Sequence, residues 1–247
     1  MDDWWRSFFP EGWAEVVGDA IDPERTAAQV DRIERMLEPE PSARMLDVPC
    51  GVGRLTIPLA ERGYTMTGVD VTPEYLEDAR RRASETGVEI DWVEGDMRDL
   101  PWTREFDGAF CFGGSFGYFD DEGNAAFLAA AARVLRPGSW FLVDTHLAET
   151  LFPKFQPRGW ERIGDVVVLQ ERDWDEVSGR VGTEWTFIRE GDIVSKNRSS
   201  IRVYTARELR TQLEEAGFAD VEGLDAGSEE PLSLGSGRAL IRARLAS

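Results

Sequence analysis

The sequence predicts an α/β protein: a doubly wound, mostly parallel seven-stranded sheet with an antiparallel β insertion after strand five. Three observations carry this. From residue 44 onward short apolar runs alternate with helix-period segments, the signature of βαβ units. Residues 160–204 switch to three long β-like runs, "DVVVLQERDW", "RVGTEWTFIR" and "DIVSKNRSSIRVY", separated by the turn signals "EVSG" and "EGD". One helix and two strands then close the chain.

The elements follow in order. "RMLDVPC" (44–50) is the first strand, "YTMTGVD" (64–70) the second, "VEIDWVEG" (88–95) the third, "FDGAFCF" (106–112) the fourth and "SWFLVDT" (139–145) the fifth. Pro58 interrupts the helix after strand one and is expected to shorten or distort it, because a proline removes a donor and crowds the preceding turn. In "TPEYLEDARRRASETG", Thr72 is the N-cap, Pro73 the first helical residue and Gly87 the residue past the end. A helix from about Asn124 to Leu135 stops at "RPG". The insertion reads as a meander. "TARELRTQLEEAG" opens with a capping box, Thr205 with Glu208, and closes at Gly217. Strands at about 218–225 and 237–245 complete the sheet, so residues 1–247 form one domain.

Charge and composition narrow the function. A formal net charge of -19 opposes binding to a phosphate backbone, and no basic stripe is present to release counterions. Arg80 to Arg82 read as the solvated face of a helix. Lys154 and Lys196 are the only lysines, and with the acidic excess this suggests a salty cytoplasm that screens self-repulsion. Apolar runs such as Ala125 to Ala132 are far shorter than a membrane span, and Asp2 and Asp3 stand where a signal peptide is basic, so a cytoplasmic protein is expected. Cys50 and Cys111 read as reduced, packed thiols, although their strands are neighbours in this kind of fold. No metal site is expected.

Ligands of open parallel sheets sit beyond the carboxyl ends of the strands. There, "LDVPCGVGR" offers Gly51 and Gly53 for close backbone approach, next to a helix N-terminus. Asp47 lies in strand one, Asp70 ends strand two, and Asp96 follows strand three in "GDMRDLPW". A carboxylate ending strand two is placed to hold ribose hydroxyls, and one after strand three to accept from an exocyclic amine. A dinucleotide site would prefer glycine where Thr56 stands and no acid inside strand one.

On these motifs the chain, over roughly residues 40–145, resembles the class I S-adenosylmethionine-dependent methyltransferases of small-molecule type, whose fold is Rossmann-like. The resemblance implies S-adenosylmethionine as cofactor and S-adenosylhomocysteine as product. It implies that Asp47, Cys50, Gly51 and Gly53 line the methionine part, Asp70 holds the ribose, Val71 packs on adenine, Asp96 takes its amine and Met97 offers its backbone. Pro49 departs from the smaller residue often found there. "CFGGSFGYFDD" lacks the Asn-Pro-Pro-aromatic motif of enzymes that methylate adenine or amide nitrogen. Phe112, Ser115, Phe116 and Tyr118 would border the methyl group, Phe112 on the cofactor and the others on the acceptor. His146, the single histidine, follows strand five and is a candidate base together with Tyr118.

"DDWWRSFFPEGW" spaces Trp4 with Phe8 and Trp5 with Phe9 on one side of a short helix ended by Pro10. Within residues 1–40 this is expected to be a helical lid over the site, with Trp5 against the acceptor; the alternative is a static helix on the flank. The expected function is methyl transfer to a small molecule, nitrogen favoured over oxygen. Alternatives are a nicotinamide-dependent oxidoreductase and a non-catalytic S-adenosylmethionine-binding protein. The protein is expected to act as a monomer or homodimer, without nucleic acid or membrane.

Overall fold

The computed structural model describes residues 3–6, 8 and 22–247. Helix α1 (Pro23–Leu37) starts where the Asp22 carboxylate accepts from the Glu24 N–H and Pro23 takes the first helical position. Its buried stripe, Val30, Ile33, Met36 and Leu37, packs on Met45, Phe110 and Leu142 of the sheet. The central sheet follows in chain order: β1 (Arg44–Asp47), α2 (Thr56–Glu61), β2 (Thr65–Asp70), α3 (Pro73–Thr86), β3 (Asp91–Glu94), β4 (Phe106–Cys111), α4 (Asp121–Val134), β5 (Leu135–Thr145) and the one-turn α5 (Ala148–Leu151). The insertion comprises β6 (Arg158–Ile163), β7 (Val166–Asp175), β8 (Arg180–Arg189) and β9 (Asp192–Arg202); α6 (Ala206–Glu215), β10 (Phe218–Asp225) and β11 (Ala239–Leu245) close the chain.

The seven central strands lie in the order β10-β11-β5-β4-β1-β2-β3. β1 to β5 run parallel, whereas β11 is antiparallel to both β5 and β10. Strand order therefore reverses between β1 and β4, which places the ligand crevice at their carboxyl ends. Gly87 closes α3 as predicted and the reciprocal Thr205–Glu208 box opens α6, whereas Thr72 takes the N-cap position of α3 without a side-chain capping bond.

Three boundaries differ from the sequence reading. Pro58 is the third residue of the six-residue α2, where N–H groups have no intrahelical partner, so it costs no hydrogen bond. β5 begins at Leu135 and runs through "RPG", because its early residues still pair with β4 at Phe106. The insertion has four strands rather than three: "RGWERI" pairs with β7, although Trp160 is exposed and its burial pattern does not alternate.

The N-terminal segment divides in two. α1 belongs to the core, whereas Trp4–Arg6 form a single 3-10 turn rather than an α-helix. Trp4 and Phe8 do meet, at 5.4 Å between ring centroids; Phe9 and Pro10 lie outside the described residues. Among the described residues no helix is long and apolar enough to cross a membrane.

Candidate functional site

The crevice is built from the loop after β1. Asp47 ends the strand fully buried, and its carboxylate accepts from the Thr56 hydroxyl at 2.6 Å. Thr56 thus occupies the third position of the glycine motif because it satisfies a buried acid. Burial pushes the Asp47 carboxyl up to about 8, against the pull of Thr56 and of the Arg54 charge. Between an unfolded value near 3.8 and this folded value the native state holds the extra proton, so Asp47 lowers stability as pH rises through that window. Asp47→Asn is expected to flatten this slope and to raise the melting temperature relative to wild type at pH about 8–9, but not near pH 4. Thermal denaturation across pH checks it.

The two glycines of the loop do different work. Gly51 has φ +55°, open space where a Cβ would stand, and an N–H that donates to Asp70 Oδ2 at 2.8 Å. At Gly53, φ +75°, a Cβ would meet the Trp92 ring at 2.5 Å, and the same indole fills the space over Gly68. Trp92 of β3 therefore props the loop from beneath. Cys50 belongs to this support: its thiol lies beside Gly68 and donates to the Gly51 carbonyl. The ring of Trp92 thus takes the space that a side chain at position 53 would need. Cys50 and Cys111 are free and buried, and burial pushes both thiols up.

Asp70 ends β2 almost fully buried; its other oxygen accepts from the Thr72 N–H at 2.9 Å. Burial raises its pKa, although the Thr72 and Gly51 N–H groups favour the anion. The Thr72 hydroxyl and the Val71 N–H also bond to the carboxylate.

Beside it lies a shallow, open pocket lined by Trp5, Val48, Pro49, Val69, Val71, Gly95, Asp96, Met97 and Phe119. Asp96 stands at its edge, held by Arg98 through Nε at 3.0 Å and Nη2 at 2.6 Å, with Arg6 at 3.6 Å. Partial burial works against ionisation, but the Arg98 hydrogen bonds and the two guanidinium charges hold Asp96 below the usual carboxylate range. The Arg98 guanidinium in turn lies 4.0 Å over the Phe119 ring and 5.5 Å from Trp5. Trp5 meets Phe119 edge-on at 4.8 Å, and both rings line this pocket. Phe119, Arg98 and Trp92 were not singled out in the sequence. An arginine two residues after the candidate acid was the available signal for one of them.

On the other side, both phenylalanines of the β4 exit pack inward. Phe112 packs among Phe110, Leu142 and Leu240 on the α1 face, and Phe116 is fully buried against Phe127 and Tyr204. Both are core. Tyr118 remains partly exposed under Trp4, 4.9 Å away, with Ser115 as its hydrogen-bonding neighbour. His146 Nε2 faces Arg238 Nη1 at 2.9 Å and so accepts, while Arg238 also pairs with Asp144. Desolvation and the adjacent Arg238 charge push the imidazole down to about 4.

Residues 45–138 match a sequence family described as a methyltransferase domain. Over this stretch the chain is similar to methyltransferases. It is 32% identical over 144 residues to a ubiquinone biosynthesis O-methyltransferase of Xylella fastidiosa, covering 56% of this chain and 55% of that protein. A putative methyltransferase of Bacillus subtilis is 31% identical over 105 residues, 42% of each chain. The chain thus spans about half the length of the curated relatives it matches. Among solved structures, a methyltransferase of Streptomyces caelestis shares the fold at TM-score 0.81 and 18% identity, covering 95% of this chain and 96% of that one. An amino pentose methyltransferase of Micromonospora echinaspora does so at 0.70 and 21%, covering 96% and 97%.

Residues along this stretch are of the kinds that would hold S-adenosylmethionine. The apolar pocket between Val69, Val71 and Met97 has the character of a slot for a flat base, and the Asp96 carboxylate at its edge is held by the Arg98 N–H and guanidinium and by Arg6. The open space at Gly51 lets a ligand approach the backbone beside Asp70.

Proposed function

We propose that this protein transfers the methyl group of S-adenosylmethionine to a small-molecule acceptor, with nitrogen favoured over oxygen. The observation that carries it is the pocket at the ends of β2 and β3, bordered by Asp96 and continuous in sequence and space with Asp70 and Gly51. When bound, the cofactor supplies a methyl carbon on a sulfonium, a good leaving group for in-line displacement. Asp70 would hold the ribose, Val71 and Met97 the adenine faces, Asp96 the amine, and the Gly51 backbone the methionine end. Trp5 and Phe119 would exclude water from that slot.

Preference for nitrogen rests on His146. An oxygen acceptor needs a base as it attacks, whereas a neutral amine attacks with its own lone pair and releases its proton afterwards. The single histidine already accepts from Arg238 and is pushed down to about 4, which makes it a poor base. Tyr118 is pushed up by burial and keeps its proton, so it suits hydrogen-bond donation to the acceptor. A nicotinamide cofactor is disfavoured because the helix-packing glycine it prefers is replaced by Thr56, whose hydroxyl is committed to Asp47. The structural neighbours include an amino pentose methyltransferase and a sugar N-methyltransferase, while an O-methyltransferase stands among the sequence relatives.

Incubation with methyl-labelled S-adenosylmethionine and pooled amines or phenols tests this. Label is expected in amine products. Transfer to phenols alone overturns the nitrogen preference, and binding of S-adenosylhomocysteine without any transfer favours a non-catalytic binding protein.

A further inference from the structure

The β insertion grips the loop that leaves β4 by its backbone. Three successive carbonyls of that loop accept from the insertion: Gly117 from the Arg202 N–H at 2.8 Å, Tyr118 from Arg180 Nη2 at 3.1 Å and Phe119 from Arg180 Nη1 at 2.7 Å. The approach is close. At Gly117, where φ is +101°, a Cβ would collide with the Arg202 carbonyl, so glycine is what lets the loop lie against the end of β9.

Arg180, the first residue of β8, is the centre of this grip. Its side chain is buried, and its remaining bonds stay within the insertion, from Nε to the Ser200 hydroxyl at 2.8 Å and from Nη2 to the Ser200 carbonyl. Burial works against the charge and pushes its pKa down, a cost that hydrogen bonds to these neutral oxygens offset. The sheet has no need of such a staple here. β8 and β9 already pair in unbroken register from Arg180 opposite Arg202 to Phe187 opposite Ser195. The loop is therefore what a buried guanidinium at this position serves.

That loop carries a wall of the cofactor pocket. Phe119 lines the pocket, with the Arg98 guanidinium 4.0 Å over its ring and Trp5 edge-on to it. Asn124 of α4 bonds the Phe119 N–H at 3.3 Å and its carbonyl at 2.9 Å. Arg180 adds a different constraint. It holds the carbonyls of residues 118 and 119 with one rigid, planar fork, and these belong to the two peptide planes that flank the Phe119 Cα. Fixing both planes fixes the direction in which the side chain leaves the backbone.

We infer that Arg180 is a positioning residue of the cofactor site, which orients the Phe119 ring on the pocket and makes the inserted sheet a working part of cofactor binding. The inference rests on the methyl-transfer reading and extends it to a residue outside the pocket lining. A lysine at this position would keep the charge but not the fork, because an ammonium is a point donor without a plane.

Calorimetric titration of the full chain with S-adenosylhomocysteine tests this on wild type, Arg180→Met, Arg180→Lys, Phe119→Leu and the two double variants. Arg180→Met is expected to weaken binding by at least about tenfold, since the ligand must then order the loop itself. Arg180→Lys should lose about fivefold, and it decides the question where Arg180→Met does not fold. In the Phe119→Leu background neither change should cost more than about a further twofold, because the ring through which Arg180 acts is gone. Melting temperature reports only the structural cost of each change and does not enter the comparison. Losses as large in the Phe119→Leu background as in wild type, or wild-type affinity in the Arg180 variants, overturn the inference. A wild-type chain that binds no S-adenosylhomocysteine removes the methyl-transfer reading, and this inference with it.

Discussion

Gly53→Ala is expected to unfold this protein at a markedly lower temperature, while Gly51→Ala, two residues away, costs far less stability and mainly weakens cofactor binding. At Gly53 the added methyl would lie 2.5 Å from the Trp92 ring, on a backbone with φ +75°. Overpacking and the left-handed conformation together cost about 2–4 kcal/mol, or roughly 5–15 °C in a chain of this size. At Gly51 the methyl meets open space, and only the conformational term of about 1–2 kcal/mol remains. The same methyl intrudes where the ligand would approach. Combining Gly53→Ala with Trp92→Leu makes room for the methyl, so the double variant should lose less than the sum of the two single losses. Thermal denaturation and calorimetry on the four variants check this, and strict additivity would show that Trp92 does not prop the loop.

The second large effect is at Asp70. Asp70→Asn should lower S-adenosylhomocysteine affinity by about a hundredfold or more, because the loss of charged hydrogen bonds to two hydroxyls is worth about 3 kcal/mol. Stability should also fall, by about 1–3 kcal/mol, since the amide turns one donor toward the N–H of Gly51 or Thr72 that the carboxylate now accepts. Asp70→Glu keeps the charge but lengthens the stem at a buried position, and is expected to recover neither property fully. Unaltered affinity in Asp70→Asn would remove Asp70 from the ribose role.

Much of this was legible in the chain itself, for identifiable reasons. Strands β1 to β5 are short apolar runs between turn signals, and the caps at Thr72, Gly87 and Thr205 are local chemistry that needs no tertiary information. The acids at 47, 70 and 96 could be placed because each ends or follows a strand. What was hidden depends on partners distant in sequence. The job of Gly53 is set by Trp92, which reads only as a strand residue until β2 and β3 pair. Phe112 and Phe116 carry the same side chain as Phe119, yet only the last lines the pocket, because the turn after β4 decides which ring faces which layer. β6 was missed because an exposed tryptophan and two arginines obscure its pairing with β7. The contact of Trp5 with Phe119 comes from a 3-10 turn, which the i,i+4 spacing of the aromatics does not disclose.

The central claim is that the loop after β1, Asp70 and the pocket at Asp96 form an S-adenosylmethionine site. Calorimetric titration of the purified protein with S-adenosylhomocysteine, and in parallel with NADH, tests it most directly. The account predicts micromolar binding of S-adenosylhomocysteine and none of NADH. Binding of NADH alone would contradict it, and with it the assignment of Gly51, Asp70, Val71, Asp96 and Met97.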